Sequence, residues 1–468
     1  MFEMPKLNFA DPAEKSIPVW LTGAKQLKTA LLEPKAPAGL PAEALRFAAA
    51  TSFDAKPGRH FWFAQAGGAP GVAFCLDEDA ADPFQPGALA TILPAGAYRW
   101  VENPQNPELA ALAFLLGAHG FARYKNLRQR VKLAAPEGVD ARAVESMASC
   151  VAFGRDLIDT PANDLGPDEL EAAALGLAEH FGAKAKVIRG KALEHDFPLI
   201  HAVGKGSSRA PRLVELRWKP KRTRKLTLVG KGVCFDSGGL NIKPESAMGL
   251  MKKDMGGAAA ALVAAALIMA GNLDVSLRVL IPIVENSVSG EAFRPGDVYR
   301  SRNGLSVEIG NTDAEGRLIL ADALALADEE KPELLIDFAT LTGAARVALG
   351  PDLPPFFTDD EALAEAISRH GFAVNDPVWR LPLWKPYAAK LDGKIADLNN
   401  APAGGMAGAI LAALFLRRFV SKDASWAHFD VYGWTPAARP GRPEGGEAQA
   451  ARLVFSLARE RFGTAKLR

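Results

Sequence analysis

A chain of 468 residues with 49% hydrophobic and 23% charged side chains has the composition of a folded protein and is too long for one typical core, so two domains are expected. A formal net charge of +1 excludes an overall basic field for nucleic acid and an acidic tail. Three cysteines, Cys75, Cys150 and Cys234, stand far apart without a CxxC pair, which excludes a disulfide framework or a cysteine zinc knuckle and fits a reducing compartment.

The opening "MFEMPKLNFADPAEK" has no basic stretch followed by an apolar one, so no secretory leader is expected. Residues 1–140 read as a smaller α/β domain. Its strands are expected over "HFWFAQAG", "GVAFCLDE" and "ALATILPAGAYRWV", and a helix over "NPELAALAFLLGAHGF". His60 and His119 are isolated there, and lone histidines are more often structural than ligands. Pro and Gly in Leu133 to Val144 mark the boundary, just before a long helical pattern.

Residues 141–468 alternate strands with helices. The strand runs are "AKVIRG", "LVELRW", "KLTLVGKG", "VSLRVLIPIVEN", "ELLIDFATLTG" and "WAHFDVYGW". Helical patterns cover Pro167 to Phe181, Ala258 to Ala270, Leu318 to Ala327, Ala407 to Phe419 and Gly446 to Arg461. The fold class is therefore α/β, with a larger domain built on a central, mostly parallel sheet flanked by helices. The basic run "KPKRTRK" from Lys219 to Lys225 falls between two strands and reads as a solvated turn. "GGAAAALVAAALIMAG" falls short of the roughly 18 apolar residues that span a bilayer and reads as a buried helix. No membrane association is expected, and the cytoplasm is the expected location.

Ligands of such sheets sit beyond the carboxyl ends of the strands, and several runs here end in unusual residues. "KLTLVGKGVCFDSGGLNIK" carries Lys231, Asp236 and Lys243, and "MKKDMGG" adds Asp254. "NTDAEGRLIL" projects Asp313, Glu315 and Arg317 from alternate positions. Like charges so close repel unless something positive sits between them. Surrounding glycines (Gly230, Gly232, Gly238, Gly239, Gly256 and Gly257) permit close backbone approach or positive φ. The frames of a Walker A loop, GxGxxG, HExxH and GxSxG are all absent. Two readings remain open from spacing alone. One is an oxygen-rich site for divalent cations; the other is an internal salt-bridge network of the same acids and bases.

Taken together, "VGKGVCFDSGGLNIKP", "MKKDMGGAAA", "NTDAEGRLILADAL" and "TLTGA" (Thr340 to Ala344) resemble the leucyl aminopeptidase family, the cytosolic two-metal M17 peptidases, over roughly residue 150 onward. The resemblance implies a metal-dependent aminopeptidase that removes leucine-like and other N-terminal residues from short peptides, through a hydroxide bridging two divalent metals. It implies that Asp236 and Glu315 bridge the ions, that Asp313 completes one site, and that Lys231 and Asp254 complete the other. A ligating lysine must be neutral, which two dications enforce by lowering its pKa. Lys243 would stay charged and stabilise the developing oxyanion. Arg317 would hold a bicarbonate-like anion as general base, since arginine itself does not take up a proton at neutral pH.

The resemblance also places Met251, Asn311, Thr340, Leu341 and Gly343 in the substrate pocket, with Met406 as an additional candidate against its plain packing role. Zn²⁺ or Mn²⁺ is implied, with Mg²⁺ or Co²⁺ also accepted by oxygen ligands, and the assembly implied is a homohexamer. Cys234, two residues before Asp236, is read as a small buried apolar side chain. The ending "FDVYGWTPAARPGRPEGGEAQ" resembles a bacterial subgroup. Two rivals stand beside this reading. A two-metal phosphoryl hydrolase would use the same ions but would bring further Lys or Arg for phosphate. DNA binding, which some bacterial relatives show, is not supported by the near-neutral charge and would reveal itself as salt-sensitive retention.

Overall fold

The computed structural model describes residues 3–33, 39–125, 131–402 and 404–464. The chain divides into two compact units, one comprising Pro5–Ala152 with Ala437–Glu444, the other running over Phe153–Pro436 and resuming at Gly445. The division falls inside the helix Ala141–Asp159, whereas the composition shift places a boundary ahead of that helix.

The smaller unit is a five-stranded sheet of β1 (Ser16–Gly23), β2 (His60–Ala64), β3 (Pro70–Leu76), β4 (Gly96–Trp100) and β5 (Val131–Leu133), in the order β2-β3-β1-β4-β5. Only the β2–β3 pair is antiparallel. Leu27, Phe61, Phe63, Ala73 and Cys75 form part of its core. The run expected as one strand from Ala88 to Val101 splits into the helical turn Leu89–Ile92 and β4. Pro94 and Gly96, the latter at φ 154°, separate the two. Strand β1 lies at the centre of the sheet despite Pro18, a residue that weakens any strand signal in sequence.

The larger unit is built on β6 (Lys184–Arg189), β7 (Arg212–Trp218), β8 (Lys225–Gly230), β9 (Gly232–Asp236), β10 (Ser276–Asn286), β11 (Val298–Arg300), β12 (Ser306–Glu308), β13 (Leu334–Ala339), β14 (Pro355–Phe357), β15 (Trp379–Arg380), β16 (Leu398–Asn399) and β17 (Trp426–Asp430). Its main sheet runs β15-β14-β17-β13-β8-β10-β7-β6, with β9 continuing alongside β10. The centre, β17-β13-β8-β10, is parallel, and β7 and β6 extend one side in antiparallel pairing. On the other side β14 pairs antiparallel with β17. Central strands read as continuous apolar runs because helices cover both faces: every residue of β13 and β17 is buried.

Two elements depart from the sequence reading. The last helix begins at Ala451, because Gly445–Gly446 form a short strand and Ala450 takes the left-handed conformation at φ 66°. The alanine-rich helix Gly256–Ala270 is preceded by the 3-10 turn Met251–Met255. Together they make a 20-residue segment of mean hydropathy 1.5, which reaches membrane-spanning length only because the turn precedes the apolar run. The protein itself surrounds it, with 94% of that window buried.

Glycine is what lets this helix lie so close to the sheet. A Cβ on Gly257 would stand 2.3 Å from the Phe338 carbonyl oxygen, and one on Gly230 would stand 2.7 Å from the Gly257 carbonyl oxygen. These two glycines therefore serve helix–sheet contact rather than approach to a ligand. Around the basic turn after β7, Arg222 pairs with Asp274 at 2.8 Å and Arg224 with Glu333 at 2.6 Å. All three cysteines are free and buried.

Candidate metal centre

The parallel strands end on one another, so their carboxyl ends gather residues that are distant in sequence. Beyond β8, the Lys231 N–H donates to the Phe338 carbonyl at 3.0 Å, and the Lys231 carbonyl accepts from Ala258 N–H at 2.8 Å. This fixes the lysine backbone between β13 and the alanine-rich helix. Asp236 closes β9, Thr340 follows β13, and Asp430 closes β17. The loop after β12 delivers Asp313 and Glu315 to the start of the helix Gly316–Asp328.

Among the described residues, Asp236, Asp313 and Glu315 each offer a carboxylate oxygen, and these oxygens all lie within 4.8 Å of one another. Lys231 Nζ lies 2.9 Å from Glu315 Oε1, 2.9 Å from Asp254 Oδ2 and 3.0 Å from Asp254 Oδ1, and it donates to the Thr340 carbonyl at 2.8 Å. Lys243 Nζ lies 2.8 Å from Asp236 Oδ2 and also contacts Asp313 Oδ1. Four carboxylates therefore meet two ammonium groups, leaving two negative charges in excess.

The electrostatics follow from that excess. Burial, followed by the charge of Asp236, pushes the Glu315 carboxyl up to about 8 and that of Asp313 up to about 6. Asp254 is raised for the same leading reason, burial. Burial acts to lower both lysines, but it is outweighed, for Lys231 chiefly by Asp254 and Glu315 and for Lys243 chiefly by Asp236 and Glu315, so both are raised. Acids and bases alike hold protons more tightly, which is the signature of a cluster short of positive charge. Divalent cations would supply it, and a donor set of carboxylates with one lysine nitrogen suits Zn²⁺, Mn²⁺ or Mg²⁺. The residues present fit such ions.

The supporting contacts are specific. Asp236 Oδ1 accepts from Gly238 N–H at 2.8 Å and from Asn286 Nδ2 at 2.9 Å, and the same Asn286 amide donates to the Thr312 carbonyl at 3.0 Å. Gly238 turns the chain at φ 88°, where a Cβ would also stand 2.5 Å from the Asn241 carbonyl oxygen. Gly316 admits Lys231, since a Cβ there would lie 2.7 Å from Lys231 Nζ.

A cavity of about 450 Å³ opens on this cluster. Its walls include Lys231, Asp236, Lys243, Asp254, Asp313 and Glu315, together with Met251, Thr340, Leu341 and Gly343 from the expected substrate pocket. Asn311 and Arg317 are not part of the wall. Asn311 Oδ1 accepts from Asp313 N–H at 2.8 Å and so shapes the loop. Arg317 is buried, with Nη1 donating to the Asn400 carbonyl at 2.6 Å, while its Nε has no hydrogen-bond partner. Burial lowers its pKa to about 10, a value that keeps it charged. A buried guanidinium with an unused N–H suits an anion.

The Thr340 hydroxyl faces the framework, 2.8 Å from Asp254 Oδ1 and 2.9 Å from the Asp254 carbonyl oxygen. Met406 neither packs in the core nor lines the cavity: it is 81% exposed. Burial pushes the Cys234 thiol well above its ordinary range, as befits an inert buried side chain.

Lys253, Arg346, Asp430 and Tyr432 are among the wall residues that sequence reasoning missed. Asp430 accepts from Leu341 N–H and Thr342 N–H, both at 3.1 Å, and from the Thr342 hydroxyl at 2.6 Å, so it shapes the turn that carries Leu341. Its place at the carboxyl end of a buried strand was the available signal.

Residues 152–455 match the cytosol aminopeptidase family, catalytic domain. The chain is 40% identical over 379 residues to the "Probable cytosol aminopeptidase" of Geobacter sp. (strain M21), covering 76% of each chain. The crystal structure of cytosol aminopeptidase from Coxiella burnetii is similar with a TM-score of 0.90 and 44% identity, over 97% of this chain and 98% of that one. The bottromycin maturation enzyme BotP in complex with Mn gives a TM-score of 0.85 at 30% identity, over 96% of this chain and 100% of that one. With the clustered acids and lysines at its strand ends, the chain belongs to the cytosol aminopeptidase family and is a metal-dependent aminopeptidase.

Proposed function

We propose that this cavity removes the first residue of short peptides with two divalent ions, bridged by Asp236 and Glu315, with Asp313 completing one site and Lys231 and Asp254 the other. The observation that carries this is the buried excess of carboxylate around Lys231 and Lys243. When bound, the ions supply Lewis-acid activation of water and of the scissile carbonyl. Lys231 would give up a proton to serve as a ligand, and Lys243 would keep its own and stabilise the oxyanion that develops on the carbonyl oxygen. Arg317, whose buried Nε–H has no partner, would hold a bicarbonate-like anion, which would supply the general base.

Met251, Leu341 and Gly343 border the space for the first side chain, and Thr340 fixes Asp254. Asn311 acts by holding the loop of Asp313. Zn²⁺ and Mn²⁺ are the ions proposed, Mn being the one named for BotP. The same reading gives residues 1–140 an assembly role in a homohexamer, residues 141–468 the catalytic role, and the cytoplasm as location, in keeping with the name of the Coxiella burnetii relative.

A substrate amine that ligates a metal must be free and neutral, which is what would make the enzyme an exopeptidase. Chelator-stripped protein resupplied with Mn²⁺ or Zn²⁺ should cleave Leu-p-nitroanilide and Leu-Gly. It should leave their N-acetylated forms at background, about a hundredfold or more slower, within the range that removing one transition-state contact costs. Comparable cleavage of the acetylated forms would sink the amine–metal contact.

A further inference from the structure

The cavity wall carries two cations that the metal centre does not use. Lys253, in the turn Met251–Met255, is 5% exposed, and its Nζ stands 4.5 Å from the centre of the Tyr432 ring. Arg346, exposed on the helix Gly343–Leu349, places its Cζ 4.9 Å from the centre of the same ring. All three residues line the cavity.

Neither cation has an ion pair or a side-chain hydrogen bond among the described residues. The carboxylates nearby are engaged elsewhere: Asp254 with Lys231 and Thr340, and Asp430 with Leu341 and Thr342. Lys252, just before it in the chain, differs in donating to the Asp159 carbonyl at 2.6 Å. An ammonium taken out of water with no carboxylate in direct contact is costly, and the face of one ring offsets only part of that. A buried cation aimed into a substrate cavity beside a second, exposed one makes a receptor for an anion.

We propose that Lys253 and Arg346 form a subsite for a substrate carboxylate. The inference rests on the aminopeptidase reading and adds to it a preference that an apolar pocket for leucine-like residues would not have. A peptide offers that carboxylate from three places: the side chain of its first residue, the side chain of its second, or its own C-terminus.

Matched pairs assayed with the metal-loaded enzyme separate the three. Glu- against Gln-p-nitroanilide tests the first residue, Leu-Glu-amide against Leu-Gln-amide the second, and Leu-Gly against Leu-Gly-amide the C-terminus. In one pair the carboxylate member should be preferred by about tenfold or more in kcat/KM, the scale of a hydrogen bond to a charged group. That ratio should fall toward one in Lys253→Met and in Arg346→Gln, the second being a surface change that leaves the core intact. Cleavage of Leu-p-nitroanilide with flat ratios in all three pairs would overturn the subsite alone. A preference untouched by either variant would do the same. No cleavage of any free-amine substrate would overturn the aminopeptidase reading beneath it.

Discussion

Glu315→Gln is expected to lower kcat/KM on Leu-p-nitroanilide by about 10³-fold or more, at least the scale lost when one essential electrostatic group leaves an active site. Glutamine keeps the shape of the side chain and removes its charge. In the metal-free protein that charge is a burden: burial already favours the neutral acid, with its pKa up at about 8, and Lys231 retains Asp254 as a partner. The metal-free variant should therefore melt within a few degrees of the metal-free parent, or above it. A residue with only a structural role would show the reverse, a lower melting temperature with activity preserved. Turnover of Glu315→Gln at parental levels would contradict its assignment as a bridging ligand.

Metal binding should strengthen steeply with pH, and should stabilise the protein more as pH rises. Glu315 and Asp313 titrate in the metal-free protein at about 8 and about 6, above the ordinary 4.5 and 3.8. A carboxyl whose folded pKa is raised contributes stability below its unfolded pKa and loses it as pH climbs through the folded value. These two acids thus cost the metal-free protein stability from near pH 4 toward pH 8. Over the same interval ions bind more tightly, because the carboxyls and Lys231 must shed protons to bind them, and each proton displaced is worth about tenfold in affinity per pH unit. The rise in Tm on adding Mn²⁺ or Zn²⁺ should be larger at pH 8 than at pH 6, and calorimetry in buffers of different ionisation heat should register proton release. A rise independent of pH, with no proton released, would mean that the ions bind away from these acids.

The contrast between what sequence revealed and what it hid has a physical cause. Lys231, Asp236, Asp254, Asp313 and Glu315 were legible because each stands in a short segment where an apolar strand or helix meets polar residues, a pattern with few uses in a globular core. The structure adds how they are held: the Asn286 amide on Asp236, the Thr340 hydroxyl on Asp254, and the space that Gly316 leaves for Lys231. Lys253, Arg346 and Tyr432 come from three separate segments, and nothing local marks a lysine beside Asp254 as unpaired. Only folding brings the two cations to one ring. Strand β1 was hidden by Pro18, and Gly230 and Gly257 look like ligand-approach glycines until the helix is seen lying against Phe338.

In the proposed mechanism Asp236, Glu315 and their neighbours hold two ions that act together. The decisive measurement titrates chelator-stripped protein with Mn²⁺ or Zn²⁺ while following bound metal per chain by mass spectrometry and cleavage of Leu-p-nitroanilide at each point. The expected result is no activity without metal, two ions per chain at saturation, and full activity only as the second site fills. Full activity with a single ion per chain, or with none, would contradict it.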